Sequence, residues 1–327
     1  MSSAVAKRLS EAALRLLARS AAHEAWWASW TLCEVPQYVA ARLPTDAIRT
    51  LARGAAREEH WAARWAAQAL CGMPEYIATR IPSSDMHALV RSAARSAAHA
   101  AQVVSSVPPH VAKRLRKSNL RLLTQTVVGD AGLAAKTLCD APAYIAERLP
   151  TVRTLARAAA REPWWAMWTL GSITPSISDR LPTGTLRALA QTAARKSIEA
   201  GQTLCGMPEH VAKRLPITDL RLLANAAAQE AEDAARVLYT MPAHVAARLP
   251  AAVLRVLARS AARDAWWAAQ ALGLMPAYVA ERLSTVTLRA LARAAEQDES
   301  AAAWVRDNVS THVAERLRTS RCNKRGA

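Results

Sequence analysis

Phenylalanine is absent, glycine is reduced to 10 of 327 residues, and no Asn-Gly or Asp-Gly pair occurs, so the two-residue hairpin turns of antiparallel sheet are missing. No apolar run approaches the roughly 20 residues a membrane span needs, and no secretory signal is recognisable. Signatures of chemistry are missing too: the single His-Glu pair, His23-Glu24, stands alone, and no CxxC, HExxH, GxSxG, Walker loop or GxGxxG appears. No enzyme, metal, cofactor, small-molecule substrate or membrane partner is therefore expected. Cysteine is sparse, and four of the five, Cys33, Cys71, Cys139 and Cys205, recur at one repeat position. Neighbouring copies should sit on the order of 10 Å apart, beyond disulfide reach, so they read as packing thiols of an intracellular, reducing compartment. Neither organelle nor cytoplasm is indicated.

What remains is alanine, leucine and arginine. Hydrophobic residues make up 52% and the net charge is +17 with a pI near 10.6. Arginine supplies 36 of the 43 basic residues, the side chain best suited to bidentate contact with phosphate. An anionic partner follows as the default expectation, although a GC-rich coding sequence also enriches Arg and Ala.

The segment "YVAARLP" at 38–44 returns as "YIATRIP", "HVAKRLR", "YIAERLP", "SISDRLP", "HVAKRLP", "HVAARLP", "YVAERLS" and "HVAERLR", and the N-terminal "AVAKRLS" is a tenth copy. That last match leads to the expectation that the Arg-rich start belongs to the fold and is not a transit peptide. The anchors are Arg8, Arg42, Arg80, Arg114, Arg148, Arg180, Arg214, Arg248, Arg282 and Arg316, spaced by 34 residues except for one interval of 38 and one of 32. Within a unit, a short helix opens at a proline such as Pro208 and closes before Pro216. A second, "TDLRLLANAAAQ", carries Leu220, Leu223, Ala224, Ala227 and Ala228 on one stripe, and a third, "EAEDAARVLYTM", buries Ala231, Ala234, Ala235 and Leu238. The four extra residues of the long unit are expected inside its third helix, adding a turn, and the two missing from the short unit before its second helix. One unit cannot bury its apolar faces alone, so the expected fold is all-α: an α-solenoid of nine roughly 34-residue repeats, two to three helices each, spanning 2–317 as one domain, with 318–327 a frayed basic tail.

Copies within one chain can be compared column by column. On the second helix one column reads Arg15, Arg49, His87, Arg121, Arg153, Arg187, Arg221, Arg255 and Arg289. Four residues on come Arg19, Arg53, Arg91, Gln125, Arg157, Gln191, Asn225, Arg259 and Arg293, and four further on His23, Arg57, Arg95, Gly129, Arg161, Arg195, Gln229, Arg263 and Gln297. Positions four apart share a helix face, and these columns hold no carboxylate, so they are candidates for binding phosphate. On the third helix adjacent columns pair Trp26-Trp27, Arg64-Trp65, Trp164-Trp165 and Trp266-Trp267, with Glu232-Asp233 and others elsewhere, and one turn later stand Trp30, Lys136, Trp168, Arg236 and several glutamines. Core positions would not accept such a mixture, so all three columns are expected to face solvent or a ligand, with Arg153, Arg157 and Arg161 the nearest partners for Trp164, Trp165 and Trp168. The anchor arginines suit capping of helix C-terminal carbonyls, and a Tyr/His column (Tyr38, Tyr76, His110, Tyr144, His210, His244, Tyr278, His312) suits a half-buried hydrogen bond between repeats.

The unit length, the two-proline punctuation and the variable exposed positions on a fixed scaffold make residues 2–317 resemble helical-repeat nucleic-acid binders, especially octotricopeptide and pentatricopeptide RNA-binding proteins. The Ala-Arg-rich consensus departs from theirs, and the Gly-rich loop of transcription activator-like DNA binders has no counterpart. HEAT and armadillo scaffolds fit the same shape. The resemblance implies single-stranded RNA, or DNA, held with its phosphates on the arginines and its bases on the third-helix Trp, Gln and Arg. The alternative is a HEAT-like scaffold gripping an acidic protein or a ribonucleoprotein assembly, with the tryptophans as contact hot spots.

Overall fold

A computed structural model describes residues 9–57 and 61–322, and the side chains of 319–322 fall outside it. The protein is an all-α solenoid: among the described residues there are 27 helices and no strand, arranged as short, second and third helices nine times over. By internal contacts the chain divides into two compact units, 1–159 and 160–327, each a stack of repeats. Arg8 lies outside the described residues.

Proline sets the helix boundaries. The third helices, such as Ala231–Thr240, end on a residue with extended backbone, here Met241, because a residue preceding proline is sterically excluded from the α region. The short helix follows and is itself stopped before the next proline. The second helix then starts on that proline, as at Pro216 before Ile217–Ala227. Aspartates cap several third helices, Asp130 accepting from the Leu133 amide at 2.8 Å and Asp298 from that of Ala301 at 2.9 Å. Within each unit the third helix packs most extensively on the second helix of the following repeat, and like helices stack on like. Leu220, Leu223, Ala224, Ala234, Ala235 and Leu238 are completely buried between these layers. Alanine at half of these positions lets backbones approach closely. Gly54 is the extreme case, since a Cβ there would come within 2.7 Å of the Ala22 carbonyl oxygen.

The prolines also leave carbonyls without helical partners, and the next repeat satisfies them. The pre-proline carbonyls of Val35, Val107 and Met241 accept from the hydroxyls of Tyr76, Tyr144 and Tyr278 at 2.6, 2.6 and 2.7 Å. Those of Met73, Met207 and Met275, and the equivalent carbonyl of Ile173, which precedes Thr174 and not a proline, pair with Nε2 of His110, His244, His312 and His210 respectively at 2.6–3.0 Å. The Tyr/His column is thus the inter-repeat bond its flat ring and polar tip suggest. The anchor arginines cap carbonyls as well, but those of the preceding repeat's short helix and not of their own. Arg80 donates to Ala40 and Leu43, Arg148 to Ala112 and Leu115, Arg214 to Ser178 and Leu181, Arg282 to Ala246 and Leu249, and Arg316 to Ala280 and Leu283. Arg114 and Arg248 use one arm only, on Ile81 and Leu215. A planar fork matches two carbonyls on successive turns in a way a lysine could not.

Three expectations change. The third helix of the 38-residue repeat, Ala62–Gly72, is only one residue longer than its counterparts, so most of the extra residues enter the turn ahead of it, part of which, 58–60, lies outside the described residues. The two-residue deletion shortens a second helix itself, to Val152–Ala159. The expected frayed tail is partly helical, the last short helix running on from Thr311 to Cys322.

Candidate nucleic-acid interface

The second helices present their arginines away from the core. Taking Leu220, Leu223 and Ala227 as the buried stripe, Arg221 and Asn225 fall on the far side at 100° per residue, and both are exposed. Arg19, Arg91, Arg121, Arg153, Arg157, Arg195, Arg221, Arg255, Arg259 and Arg293 all stand exposed.

The columns themselves hold no carboxylate, yet carboxylates reach them from the next repeat. Asp85, in the first turn of Ser83–Ala93, accepts from Arg49 Nε at 3.1 Å and Arg53 Nε at 2.9 Å. Asp219 lies 3.1 Å from Arg187 Nε. Both carboxylates are almost fully buried, while the arginine side chains are 43%, 60% and 48% exposed. Where histidine replaces arginine, an amide replaces the carboxylate: His87 Nδ1 is 2.6 Å from Asn119 Oδ1. Arg15 differs, with Nε on Asp46 and Nη2 on Glu11, so two acids outweigh its charge and it leaves the set of phosphate candidates. Arg57 Nη1 donates to the His23 carbonyl at 3.0 Å, and Arg263 Nη1 reaches that of Gln229 at 3.4 Å, tying the third column partly to the scaffold. Sequence comparison missed Asp46, Asp85 and Asp219 because they occupy a different column from the arginines they hold; the signal was an acid 31–36 residues downstream of each arginine.

The tryptophan columns split. Trp26, Trp27, Trp30, Trp164 and Trp266 are exposed, as is Trp61, which column reading did not single out. Trp65, Trp165, Trp168 and Trp267 are half-buried. Apart from the exposed Trp27, the second position of each pair is therefore not a solvent position: elsewhere it holds the buried Glu199 and Asp233, the latter set against Gly201 of the preceding repeat. Within the first unit Trp26 and Trp27 stack at 3.9 Å, Trp27 lies 5.5 Å from Trp30, and Trp26 is 6.4 Å from Trp65, over which sits the Arg64 guanidinium at 5.0 Å. Within the second, Trp165 meets Trp168 edge-on at 6.0 Å and Trp266 lies 6.2 Å from Trp304. The rings satisfy one another as much as they face outward.

The third-helix columns also point away from the core, and the core lies between the two layers. In the first unit Arg19, Arg49 and Arg53 thus leave from the opposite side to Trp26 and Trp30, and in the second Arg255 and Arg259 from the opposite side to Trp266. Whether the two sets share a groove, which the sequence left open, is answered against sharing within each unit by these opposite directions.

The cysteine column is free of disulfides, and burial raises the thiols of Cys33 to about 11 and of Cys71 and Cys139 to about 12. Among the described residues no helix is long and apolar enough to cross a membrane, and no three His, Cys, Asp or Glu could hold a metal ion.

No family model and no curated protein matches the chain. Among solved structures, one from the computational design of self-assembling cyclic protein homo-oligomers is similar over 98% of both chains at 16% identity, with a TM-score of 0.13, a likeness on which nothing further is built.

Proposed function

We propose that this helical-repeat protein binds single-stranded nucleic acid, RNA foremost, along the face of its second helices, as an octotricopeptide- or pentatricopeptide-like binder would. The observation that carries this reading is the exposed arginine face itself, repeated from unit to unit on a chain of net charge +17. Exposed guanidinium groups at a fixed repeat suit a polyanion with a fixed phosphate spacing. Base contacts are reassigned from the third helix to the same face, where Gln125, Gln191 and Asn225 interrupt the middle arginine column with amides able to pair with base edges. The tryptophans then serve another purpose, and their separate position favours the second reading for that face alone, a surface for a protein partner.

The test is anisotropy of labelled single-stranded RNA and DNA oligonucleotides across a salt series. A log-log slope of about −0.7 per phosphate contacted is expected. Arg91→Gln with Arg121→Gln should weaken binding and flatten that slope, while Trp164→Ala should leave it unchanged. No affinity at about 50 mM salt would overturn the proposal, and affinity only for an acidic protein would move it to the scaffold reading.

A further inference from the structure

A buried ion pair is a poor device for stability, since well-packed apolar residues of similar volume usually do as well or better. Asp85 nevertheless occupies a position that is apolar or neutral in most other repeats, at Val253, Thr287 and Asn119, and it is 3% exposed. Its two oxygens are divided between two arginines one helical turn apart, each through Nε. Both Nη groups of both arginines are left without a bond to the described residues, on side chains about half exposed. The carboxylate thus offsets one of two positive charges, holds the pair against mutual repulsion, and turns both forks outward.

We infer that Arg49, Arg53 and Asp85 form a preorganised phosphate subsite, in which the two guanidinium forks clasp one phosphate of the nucleic-acid backbone and Asp85 is the positioning residue. This rests on the nucleic-acid-binding reading. Charge-assisted bonds from a fixed fork are the strong form of phosphate recognition, and a fork already fixed loses less conformational entropy on binding. The second unit carries a one-armed version, in which Arg187 forms an ion pair with Asp219 at 3.1 Å and Gln191 stands where the second arginine would be. At His87 and Asn119 the same register holds an imidazole and an amide in place of guanidinium and carboxylate, and no subsite forms. Bound phosphate would therefore be graded along the solenoid, tightest at Arg49 and Arg53.

Two variants separate this from binding by bulk charge, because the two accounts differ in sign. Asp85→Asn makes the face more positive, so a purely electrostatic surface should bind labelled single-stranded RNA more tightly. The subsite should instead bind it about tenfold more weakly, the loss of roughly one charge-assisted bond. Arg53→Lys preserves charge on a side chain that is 60% exposed, and is also expected to lose severalfold in affinity. Thermal melting is recorded for each, so that a fold defect in Asp85→Asn leaves Arg53→Lys as the deciding variant. Unchanged or tighter binding by Arg53→Lys, or tighter binding by a folded Asp85→Asn, overturns the subsite while leaving the proposed function standing. A wild-type protein that binds no RNA overturns both.

Discussion

The anchor arginines make the sharpest energetic prediction. Arg214 bridges to the preceding repeat through two carbonyls, Ser178 and Leu181, the latter at 2.6 Å, and its side chain is 26% exposed. A hydrogen bond to a charged group contributes about 1.5–3 kcal/mol, and solvent at a quarter of the surface reduces that, so removing both should cost about 2–4 kcal/mol. Arg214→Met keeps the apolar stem and isolates the head group. Asp179 lies 3.9 Å away but is largely exposed, so Asp179→Asn should change stability by less than about 0.5 kcal/mol. Arg248 offers an internal comparison: only one arm is bonded, to Leu215 at 2.7 Å, and its Nη1 is buried without a partner. Arg248→Met should therefore cost about half as much as Arg214→Met. Because a solenoid is stabilised by nearest-neighbour interfaces, the loss should appear as faster amide exchange in residues 174–182, where the acceptor helix frays, along with a lower urea midpoint. Exposed Arg221→Met serves as control. Equal losses at Arg214, Arg248 and Arg221, or a local exchange pattern unchanged by Arg214→Met, would refute the bridging account.

The thiol column and the tryptophan surface add two expectations. In a Cys322→Ser background at pH 8, native Cys71 and Cys139, held at about 12, should react with a maleimide about a thousandfold more slowly than an ordinary thiol, and urea should abolish the difference. An unfolded thiol ionises from about pH 9 while the folded one stays neutral, so stability falls as pH rises from about 9 toward 12; Cys71→Ala with Cys139→Ala should make that decline shallower, and an identical decline would count against burial as the cause. Trp164→Ala, at 49% exposure, should cost less than about 1 kcal/mol, whereas the fully buried Leu170→Ala should cost about 2–5 kcal/mol. Similar losses in denaturant melts would mean that Trp164 is core.

The repeat, the three helices and the Tyr/His bond were legible in the sequence because each depends on residues inside one period. Proline forbids the α conformation just before itself, so helix ends appear as letters, and a stripe such as Leu220, Leu223 and Ala227 needs no knowledge of what packs on it. Partners between repeats were not legible, because aligning copies shows what occupies equivalent places and not what lies across from them. The absence of acids from the arginine columns was true, yet Asp85 and Asp219 approach from two residues earlier in the next repeat's register. The same limit explains Trp165 and Trp267, whose half-burial depends on the neighbouring repeat's third helix.

Arginine does three physically distinct things in this chain, and the acceptor tells them apart. Against helix-end carbonyls, as at Arg214 and Arg282, it joins repeats, and the same residue must recur in every copy because every copy has the same orphaned carbonyls. Against a buried carboxylate, as at Arg49 and Arg53, it is aimed, and the acid appears only in some repeats because not every repeat is built to grip. Facing solvent, as at Arg121 and Arg221, it supplies charge alone. Composition sums these into one figure of +17. The second and third groups can attract a polyanion, and substitutions in the third, whose arginines hold no buried partner among the described residues, should separate binding from stability, which substitutions at the anchors cannot do.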